Sequence, residues 1–580
     1  MKVKYSKYIK PYLSAFILGP ILMIIEVIGE VFMPELLKRI INACESTDAS
    51  VSYIIGVGGL MVLTALLMLI GGIGGAYFAI KASSGFANDL RKNMFRKIQE
   101  FSFKNIDDFS TGSLVTRLTN DVTVLQNMVT MMLRMALRAP GMFIAAIVMT
   151  LTTNPKLATV ILVVIPILAL TLAIVIKIGF PRFGIMQKKL DALNTTTQEN
   201  LTNIRVVKSF VREDFEENKF KTANADLKDH TLHAMDVVIF MMPIMTLAMN
   251  ITTLAVVYFG GNQVIAGGMD VGELNQFTTY VVMILSSLMM ISMILLNSSR
   301  AMASSKRIKE VLETEVDLND NNAARKDAIV TDGKIEFKNV NFKYYKENEE
   351  WVLENIDCII NPGETVGIIG STGCGKTSMV SLIPRLYDAD EGEVLIDGIN
   401  VKDYSIENLR EGVGMVLQNN VLFSGSIMEN IKWGNENAED EEVFKFAEAS
   451  QAHGFVTSFT EGYDTFLGQG GTNVSGGQKQ RLCIARALLK QPKILILDDS
   501  TSAVDTATEK KIRDSFRTDL KNTTKLIIAQ RISSVIDADK IIVIDDGKIA
   551  SIGNHDELMK SCEEYQEIYY SQMDKEEVTA

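Results

Sequence analysis

Apolar stretches of bilayer length are the feature that most constrains the fold of this chain. Six of them precede residue 300, and each matches the roughly 20 residues that a helix needs to cross a bilayer. They lie near residues 16–37, 54–80, 128–151, 157–179, 236–260 and 274–297. Buried helices of a soluble protein are the alternative, but stretches 54–80 and 274–297 contain no charged residue. Six membrane-spanning helices explain the pattern better.

Charge divides the chain near residue 310. Of the 58 basic and 70 acidic residues, residues 1–310 hold 30 and 22, a net +8, and residues 311–580 hold 28 and 48, a net −20. The long connections 81–127 and 180–235 carry 7 and 9 basic residues, so the positive-inside rule places them and the lysine-rich N-terminus in the cytoplasm. The acidic half is unsuited to nucleic acid, because phosphate contacts need a basic surface.

The same division predicts the domain organisation. We expect an all-α transmembrane domain of six helices over residues 1–310 and a polar linker over residues 311–332. Residues 333–580 should form an α/β domain, because strands such as Thr365–Ile369 and Ile494–Leu497 alternate with helical stretches. The expected fold is therefore multidomain, with membrane helices followed by an α/β domain.

Charged pairs interrupt two of the predicted spans. Glu26 and Glu30 are four residues apart and so share one helix face. Acids inside a span predict a functional site, here a substrate cavity able to recognise a cation. The alternatives are a place near the outer interface or a role in helix packing. Arg134 and Arg138 repeat the spacing, and we expect both to extend to the cytoplasmic interface.

Methionine is concentrated in the membrane half, which holds 24 of the 29. Methionine is flexible and polarizable and suits promiscuous apolar surfaces. The pattern is compatible with a polyspecific cavity and with ordinary lipid-facing or packing positions.

A phosphate-binding motif opens the second half. Residues 370–377, Gly-Ser-Thr-Gly-Cys-Gly-Lys-Thr, fit G-x-x-x-x-G-K-[ST] and lie between a predicted strand and a predicted helix. Its backbone N–H groups can approach phosphates, Lys376 can reach the β- and γ-phosphates, and Thr377 can bind Mg²⁺. Asp498 ends a later apolar strand and is the second Mg²⁺ candidate, and Asp499 stands where a water-orienting base is common.

Residues 475–478, Ser-Gly-Gly-Gln, followed by Lys-Gln-Arg-Leu, resemble the signature of ABC ATPases. With six spans ahead of it, nearly the whole chain resembles one half of an ABC exporter. The resemblance implies that each ATP lies between the phosphate loop of one chain and the signature of another. By the resemblance, adenine stacks on Tyr344, and Gln418 senses both Mg²⁺ and the membrane domain. Residues 502–505 correspond to the D-loop of the family. The implied ATP-binding residues are Tyr344, Gly370, Ser371, Thr372, Gly373, Cys374, Gly375, Lys376, Thr377, Ser378, Ser475, Gly476, Gly477 and Gln478.

Two further segments resemble the cytoplasmic coupling regions of this family. They are Thr111–Val122 and Asn203–Glu213. By the resemblance, the second should dock on the ATPase domain of a partner chain.

Two catalytic positions depart from the family pattern. Asp499 stands where active members have Glu, and Gln530 stands where they usually have His. Aspartate is one methylene shorter, and misplacing a catalytic group by about 1 Å can cost on the order of a hundredfold in rate. Glutamine cannot become cationic as histidine can. We therefore expect a weakly hydrolytic site and a different half-transporter as partner, which uses this chain's nearly intact signature.

The resemblance implies ATP-driven export of hydrophobic or amphipathic compounds, with ATP and Mg²⁺ as cofactors. It places the chain in a bacterial plasma membrane, in contact with lipid, with both termini and the ATPase domain cytoplasmic. A lipid or peptide flippase of the same architecture is an alternative function. An ATP-gated channel or regulatory subunit is another, because impaired ATP sites also suit gating.

Overall fold

The computed structural model describes residues 4–45, 50–321, 323–345, 349–499 and 504–579, without some side chains inside helices, among them Met241, Met242 and Met245. Contacts divide the chain into two compact units. The helical unit comprises Met1–Gln99 and Thr111–Thr314, and the α/β unit comprises Glu100–Ser110 and Glu315–Ala580.

Long helices dominate the helical unit. Numbered along the whole chain, they are α1 (Ser6–Ile9), α2 (Leu13–Glu45), α3 (Val51–Gln99), α5 (Thr111–Thr116), α6 (Val122–Met135), α7 (Arg138–Thr153), α8 (Pro155–Thr202), α9 (Ile204–Ser209), α10 (Glu213–Ile265) and α11 (Val271–Glu313). Helix α4 (Phe103–Asp108) belongs to the α/β unit. A 3₁₀ turn spans Lys10–Tyr12, and a π-helix spans Arg117–Asp121. At 1.5 Å per residue, α3, α8 and α10 are about 70–80 Å long, well beyond a bilayer core of ~30 Å.

All six predicted apolar stretches fall in helices. In the described residues, four helical segments are long and apolar enough to cross a membrane, namely Ser6–Glu45, Val51–Gln99, Thr111–Thr153 and Val271–Ile291, and Pro155–Ile167 is a shorter apolar one. The stretches at 157–179 and 236–260 lie in the continuous helices α8 and α10, where some side chains are outside the described set. The third stretch is broken at residues 136–137, three residues before Pro140, whose ring nitrogen cannot donate a helical hydrogen bond.

Small residues and polar contacts hold the helices of this unit together. A Cβ atom at Gly71 of α3 would lie 2.8 Å from the carbonyl oxygen of Leu22 in α2, so only glycine permits this approach. The buried Tyr280 of α11 donates its hydroxyl hydrogen to the Val31 carbonyl of α2 at 2.9 Å. Large apolar side chains such as Ile70 and Ile73 remain exposed on the outside, as a lipid-facing surface requires.

Strands and short helices alternate in the α/β unit. The strands are β1 (Ile335–Phe342), β2 (Leu353–Ile360), β3 (Thr365–Gly370), β4 (Glu391–Ile396), β5 (Ile399–Asn400), β6 (Val413–Val416), β7 (Gly425–Ser426), β8 (Phe466–Leu467), β9 (Ile494–Asp498), β10 (Thr524–Ile528), β11 (Lys540–Asp545) and β12 (Lys548–Gly553). The helices are α12 (Lys376–Ser381), α13 (Ile406–Glu411), α14 (Ile427–Lys432), α15 (Asp440–Ala449), α16 (His453–Val456), α17 (Gly476–Leu489), α18 (Thr506–Asp519), α19 (His555–Ser561) and α20 (Glu563–Thr579).

A six-stranded sheet places the functional residues. Its order is β12-β11-β3-β10-β9-β6, with an antiparallel β12 edge and parallel pairing elsewhere, and a second sheet has the order β2-β1-β4-β5. Strands β9 and β10 are buried throughout, which explains their continuous apolar runs. Ile528 pairs with Asp498 on one side and Ile368 on the other, so the carboxyl ends of β3, β9 and β10 meet at one edge. Ligands bind at that edge in open α/β sheets.

Two segments differ from the predicted domain boundaries. Residues 100–110 belong to the α/β unit although they were expected in the membrane domain. The expected linker 311–332 is mostly part of the α/β unit as well, because Leu318 and Val330 are buried there and Asp320 accepts a hydrogen bond from the Ile406 N–H at 3.0 Å. The polar composition of this segment gave no indication that Leu318 and Val330 are buried.

Candidate functional site

The phosphate-loop motif connects β3 to α12 at the carboxyl edge of the sheet. Gly375 caps α12 with a φ of 100°, and a Cβ atom there would lie 2.9 Å from the Val352 carbonyl oxygen. Gly373, with a φ of 88°, faces open space. Glycine is required at both because their backbone conformation is left-handed. The loop is thus packed on one side and open to a ligand at its tip.

Lys376 closes this loop. Its ammonium group donates hydrogen bonds to the carbonyl oxygens of Gly370, at 2.9 Å, and Ser371, at 2.6 Å. A positive charge therefore lies within the loop whose N–H groups can bind phosphate, as the motif predicts.

A hydroxyl and a carboxylate meet beside the loop. The Thr377 hydroxyl donates to Asp498 Oδ1 at 3.1 Å, and Asp498 is only 2% exposed. Burial raises the pKa of the Asp498 carboxyl, and the neighbouring charge of Asp499 raises it further. Hydroxyl and carboxylate oxygens are ligands that Mg²⁺ accepts, together with phosphates and water. These two residues therefore fit the metal expected at this position.

The two residues that depart from the family pattern, Asp499 and Gln530, contact each other. The Gln530 side-chain amide donates to Asp499 Oδ2 at 2.7 Å. The backbone of Asp499 is left-handed, with a φ of 47°, and its N–H donates to the Ile528 carbonyl at 3.0 Å. Burial raises the pKa of Asp499, while a hydrogen bond from Gln418 acts in the opposite direction. The structure thus brings Asp499, Gln530 and Gln418 together, as the sequence predicted for one site.

Tyr344 follows β1 and lies beside the first turn of α12. Its hydroxyl is 2.8 Å from the Ser378 hydroxyl, and its ring meets that of Tyr387 edge-on, with centroids 5.1 Å apart. Adenine stacking on Tyr344 stays a prediction. The neighbouring Tyr345 is more exposed, at 52%, and was not considered from the sequence.

Residues 475–478 form the start of α17. The Ser475 hydroxyl accepts a hydrogen bond from the Gln478 N–H at 3.3 Å, and the Gln478 side chain accepts one from the Ser475 N–H at 2.8 Å. This reciprocal cap fixes the turn, while Ser475 and Gly476 remain exposed. Of the expected D-loop, residues 502 and 503 lie outside the described residues.

Comparison with known proteins agrees with this geometry. The profile for the ABC transporter transmembrane region matches residues 16–289, and the ABC transporter profile matches residues 353–502. An uncharacterized ABC transporter ATP-binding protein of Bacillus subtilis, YfiB, is 40% identical over 577 residues, 99% of each chain. The chain belongs to the ABC transporter family. It is an exporter half, with a transmembrane domain fused to an ATP-binding and ATP-hydrolysing domain.

Other relatives of this ABC exporter carry different functional names. A putative multidrug export ATP-binding/permease protein of B. subtilis, YgaD, is 32% identical over 581 residues, 98% of each chain. An ATP-dependent lipid A-core flippase of Syntrophus aciditrophicus is 32% identical over 493 residues, 84% of this chain and 81% of that one. The structure of a bacterial Atm1-family ABC exporter with ATP bound shares the fold, with a TM-score of 0.80, 24% identity and 97% and 98% coverage.

A short segment far ahead of residue 333 is also part of the α/β unit. Helix α4, capped by Ser102 and Asn105, lies in the α/β unit. There the Tyr387 hydroxyl donates to Asp107 Oδ2 at 2.8 Å, and the Phe103 and Tyr387 rings are 6.1 Å apart. Thr111–Val122 belongs to the helical unit, and its role as a coupling region stays a prediction. A six-residue helix is too short for a periodicity signal, so the sequence did not reveal it.

The acidic pair in the first span has a basic partner. Arg138 binds Glu26 at 3.1 Å and Glu30 at 2.5 Å. One oxygen of each glutamate and Nε of Arg138 are buried and have no hydrogen-bond partner among the residues that the structure describes. Arg138 is thus held by two acids of α2, whereas Arg134 is exposed, and a position at the cytoplasmic interface stays a prediction for both. Arg138 begins α7, directly after the break in the third span. A substrate role for Glu26 and Glu30 stays a prediction.

Two further ion pairs, Asp121–Arg307 and Arg117–Glu310, could not be predicted from the sequence. Asp121, at the end of the π-helix, is 2% exposed and accepts hydrogen bonds from Arg307 Nε at 2.7 Å and from the Ser304 hydroxyl at 2.9 Å. Arg117 at the start of the π-helix binds Glu310 at 2.8 Å. Both pairs join the segment after α5 to α11. The partners are at least 183 residues apart in the sequence, so no local sequence pattern indicates these contacts.

Proposed function

We propose that this chain is one half of a heterodimeric ABC exporter and that its own ATP site hydrolyses ATP weakly. The contact between Asp499 and Gln530 carries the proposal. The residue in the base position is shorter than glutamate, and its carboxylate is already held by the Gln530 amide. It is therefore poorly placed to orient a water molecule, and the rate penalty can reach about a hundredfold.

The same site is well equipped to bind nucleotide. The loop glycines and Lys376 would contact phosphate, and Thr377 and Asp498 would hold Mg²⁺, which would supply charge neutralisation. Gln530 can donate a hydrogen bond to a γ-phosphate but cannot supply a positive charge. ATP retained here for longer would bias the transporter toward the state in which the two ATPase domains are together.

Two surfaces of the chain fit a partner half-transporter. Exposed Ser475 and Gly476 are available to ATP on the partner's phosphate loop. The connection around α9 exposes Phe210, Val211 and Phe215 to 73%, 81% and 60%. Apolar exposure of this extent is typical of an interaction surface. We assign it to the partner's ATPase domain.

The experiment that tests the weak site restores the missing groups. The double variant Asp499→Glu/Gln530→His, purified as the full chain in detergent, should hydrolyse ATP at least about tenfold faster than the unchanged chain. Adding Lys376→Ala to the double variant should remove the gain. A double variant no faster than the unchanged chain, with normal ATP binding, would show that these two residues do not limit the site.

For the substrate we propose hydrophobic or amphipathic compounds. The methionine-rich spans support an adaptable apolar cavity. The relatives named for multidrug export and for lipid A-core flipping are equally similar at 32%, so lipid is the second candidate. In proteoliposomes holding both half-transporters, a panel of amphipathic cations and neutral drugs should stimulate ATP turnover. Stimulation only by lipid, with translocation of labelled lipid, would favour the flippase.

The basic connections support an arrangement with the ATPase domain and both termini in the cytoplasm, and we propose a bacterial plasma membrane.

A further inference from the structure

The C-terminal helix contacts the loop that carries the switch residue Gln530. The side chain of Gln572 in α20 donates from Nε2 to the Gln530 carbonyl oxygen at 2.8 Å. Its Oε1 accepts from the Ile532 N–H at 2.9 Å. One amide therefore satisfies two backbone groups on either side of Arg531, which only a side chain with both a donor and an acceptor can do.

The contact is anchored at both ends. Tyr565, fully buried, and Ile568 pack α20 against the core of the α/β unit. Gln572 follows them at helical spacing and so shares their face. On the other side, Ile532 and Val535 are 3% and 1% exposed and fix the segment that follows the loop. The loop can therefore shift mainly between β10 and Ile532, where the Gln572 amide holds it.

The held loop leads directly to the ATP site. Gln530 donates its side-chain hydrogen bond to Asp499 Oδ2 while its carbonyl accepts from Gln572. A change in the Gln572 contact moves the backbone from which the switch side chain extends. We propose that Gln572 is a positioning residue that holds the switch loop against the nucleotide, so that the C-terminal helix controls how long ATP stays on this chain. The proposal rests on ATP binding by this chain and not on a heterodimer.

The test compares three variants of the full chain in the assembled transporter. Gln572→Met removes both hydrogen bonds with little change in size, and Gln572→Glu keeps only the acceptor for the Ile532 N–H. Gln566→Met is the matched control, because Gln566 lies in the same helix but donates to the Met559 carbonyl at 2.9 Å. Hydrogen exchange of residues 529–535 reports the loop. Radiolabelled azido-ATP is trapped, left to dissociate for a set time and only then crosslinked by light, so that the label remaining on this chain reports nucleotide release from its site.

In Gln572→Met we expect both exchange and nucleotide release to be faster by roughly tenfold, the effect of two ordinary hydrogen bonds. Gln572→Glu should be intermediate, and Gln566→Met should match the unchanged chain. Faster exchange with unchanged nucleotide release would make the contact purely structural and overturn the proposal, as would unchanged exchange. If Gln572→Met does not fold, the comparison of Gln572→Glu with Gln566→Met tests the proposal, again by hydrogen exchange of the loop and by nucleotide release.

Discussion

At the residue scale, Asp498 and Asp499 have adjacent positions but different environments. Asp498 faces Thr377 and lies deeper, whereas Asp499 is reached by the side chains of Gln530 and Gln418. One carboxylate is thus directed to the metal position and the other to the position of the base. The sequence order alone predicted this division. The capture of Asp499 by Gln530 required the left-handed backbone at Asp499, which no sequence motif indicates.

The buried Asp498 predicts an unusual pH dependence of Mg²⁺-assisted ATP binding. Its pKa is raised, so on acidification it takes up a proton at a higher pH than an exposed aspartate, for which the pKa is ~3.9. Mg²⁺ needs the ionised carboxylate of Asp498. As the pH falls, the gain in ATP affinity that Mg²⁺ provides should therefore be lost at a pH above ~3.9. Binding of a fluorescent ATP analogue with Mg²⁺ or EDTA across pH measures this, and Asp498→Asn should show no benefit at any pH. A benefit that persists to the ordinary pKa would contradict the burial argument.

Lys376→Ala predicts an asymmetry between the two ATP sites. The change should remove ATP from this chain's loop and weaken transport, but turnover at the partner's phosphate loop should continue in part. ATP hydrolysis and substrate uptake by inverted vesicles measure the two effects, with Lys548→Ala, an exposed lysine on β12, as control. If Lys376→Ala stopped hydrolysis as completely as the same change in the partner, asymmetric sites would be excluded.

At the element scale, the π-helix is held to α11 by a buried carboxylate. Asp121 is 2% exposed and accepts a hydrogen bond from Arg307. The change Asp121→Asn removes the negative charge that partners Arg307. A broken buried pair can cost 3–5 kcal/mol, and partial exposure of Arg307 reduces our expectation to about 1–3 kcal/mol. The thermal midpoint of the purified protein should fall clearly. The matched change Asp226→Asn, in an exposed pair with Lys189, should shift it little. Equal shifts would remove the special role of the π-helix.

Some elements of this fold are predictable from the sequence, and others are not. Hydrophobic length identified the spans, and the strand-loop-helix context identified the phosphate loop, because both signals are local. The break before Arg138, the six-residue α4 and the partners of Asp121 depend on packing between distant segments. For this reason the positions of Glu26 and Glu30 were noticed but their guanidinium partner was not.

At the scale of the whole molecule, we propose that the chain supplies unequal parts of two ATP sites. Its phosphate loop can bind ATP but stands beside Asp499 and Gln530, whereas its signature turn is fully formed and exposed. Two copies of this chain would build two weak sites. A different half-transporter with Glu and His at the two positions would build one weak and one competent site. The neighbouring coding sequence is the first place to seek it.

ATP turnover by the purified chain, alone and with that partner, tests the central claim most directly. Both samples need the same lipid, the same Mg²⁺ concentration and a check of ATP binding. We predict turnover near background for the chain alone and robust turnover for the pair, lost when the partner's catalytic Glu is replaced by Gln. Robust turnover by this chain alone would contradict the proposal of a weak site and of an obligate, different partner.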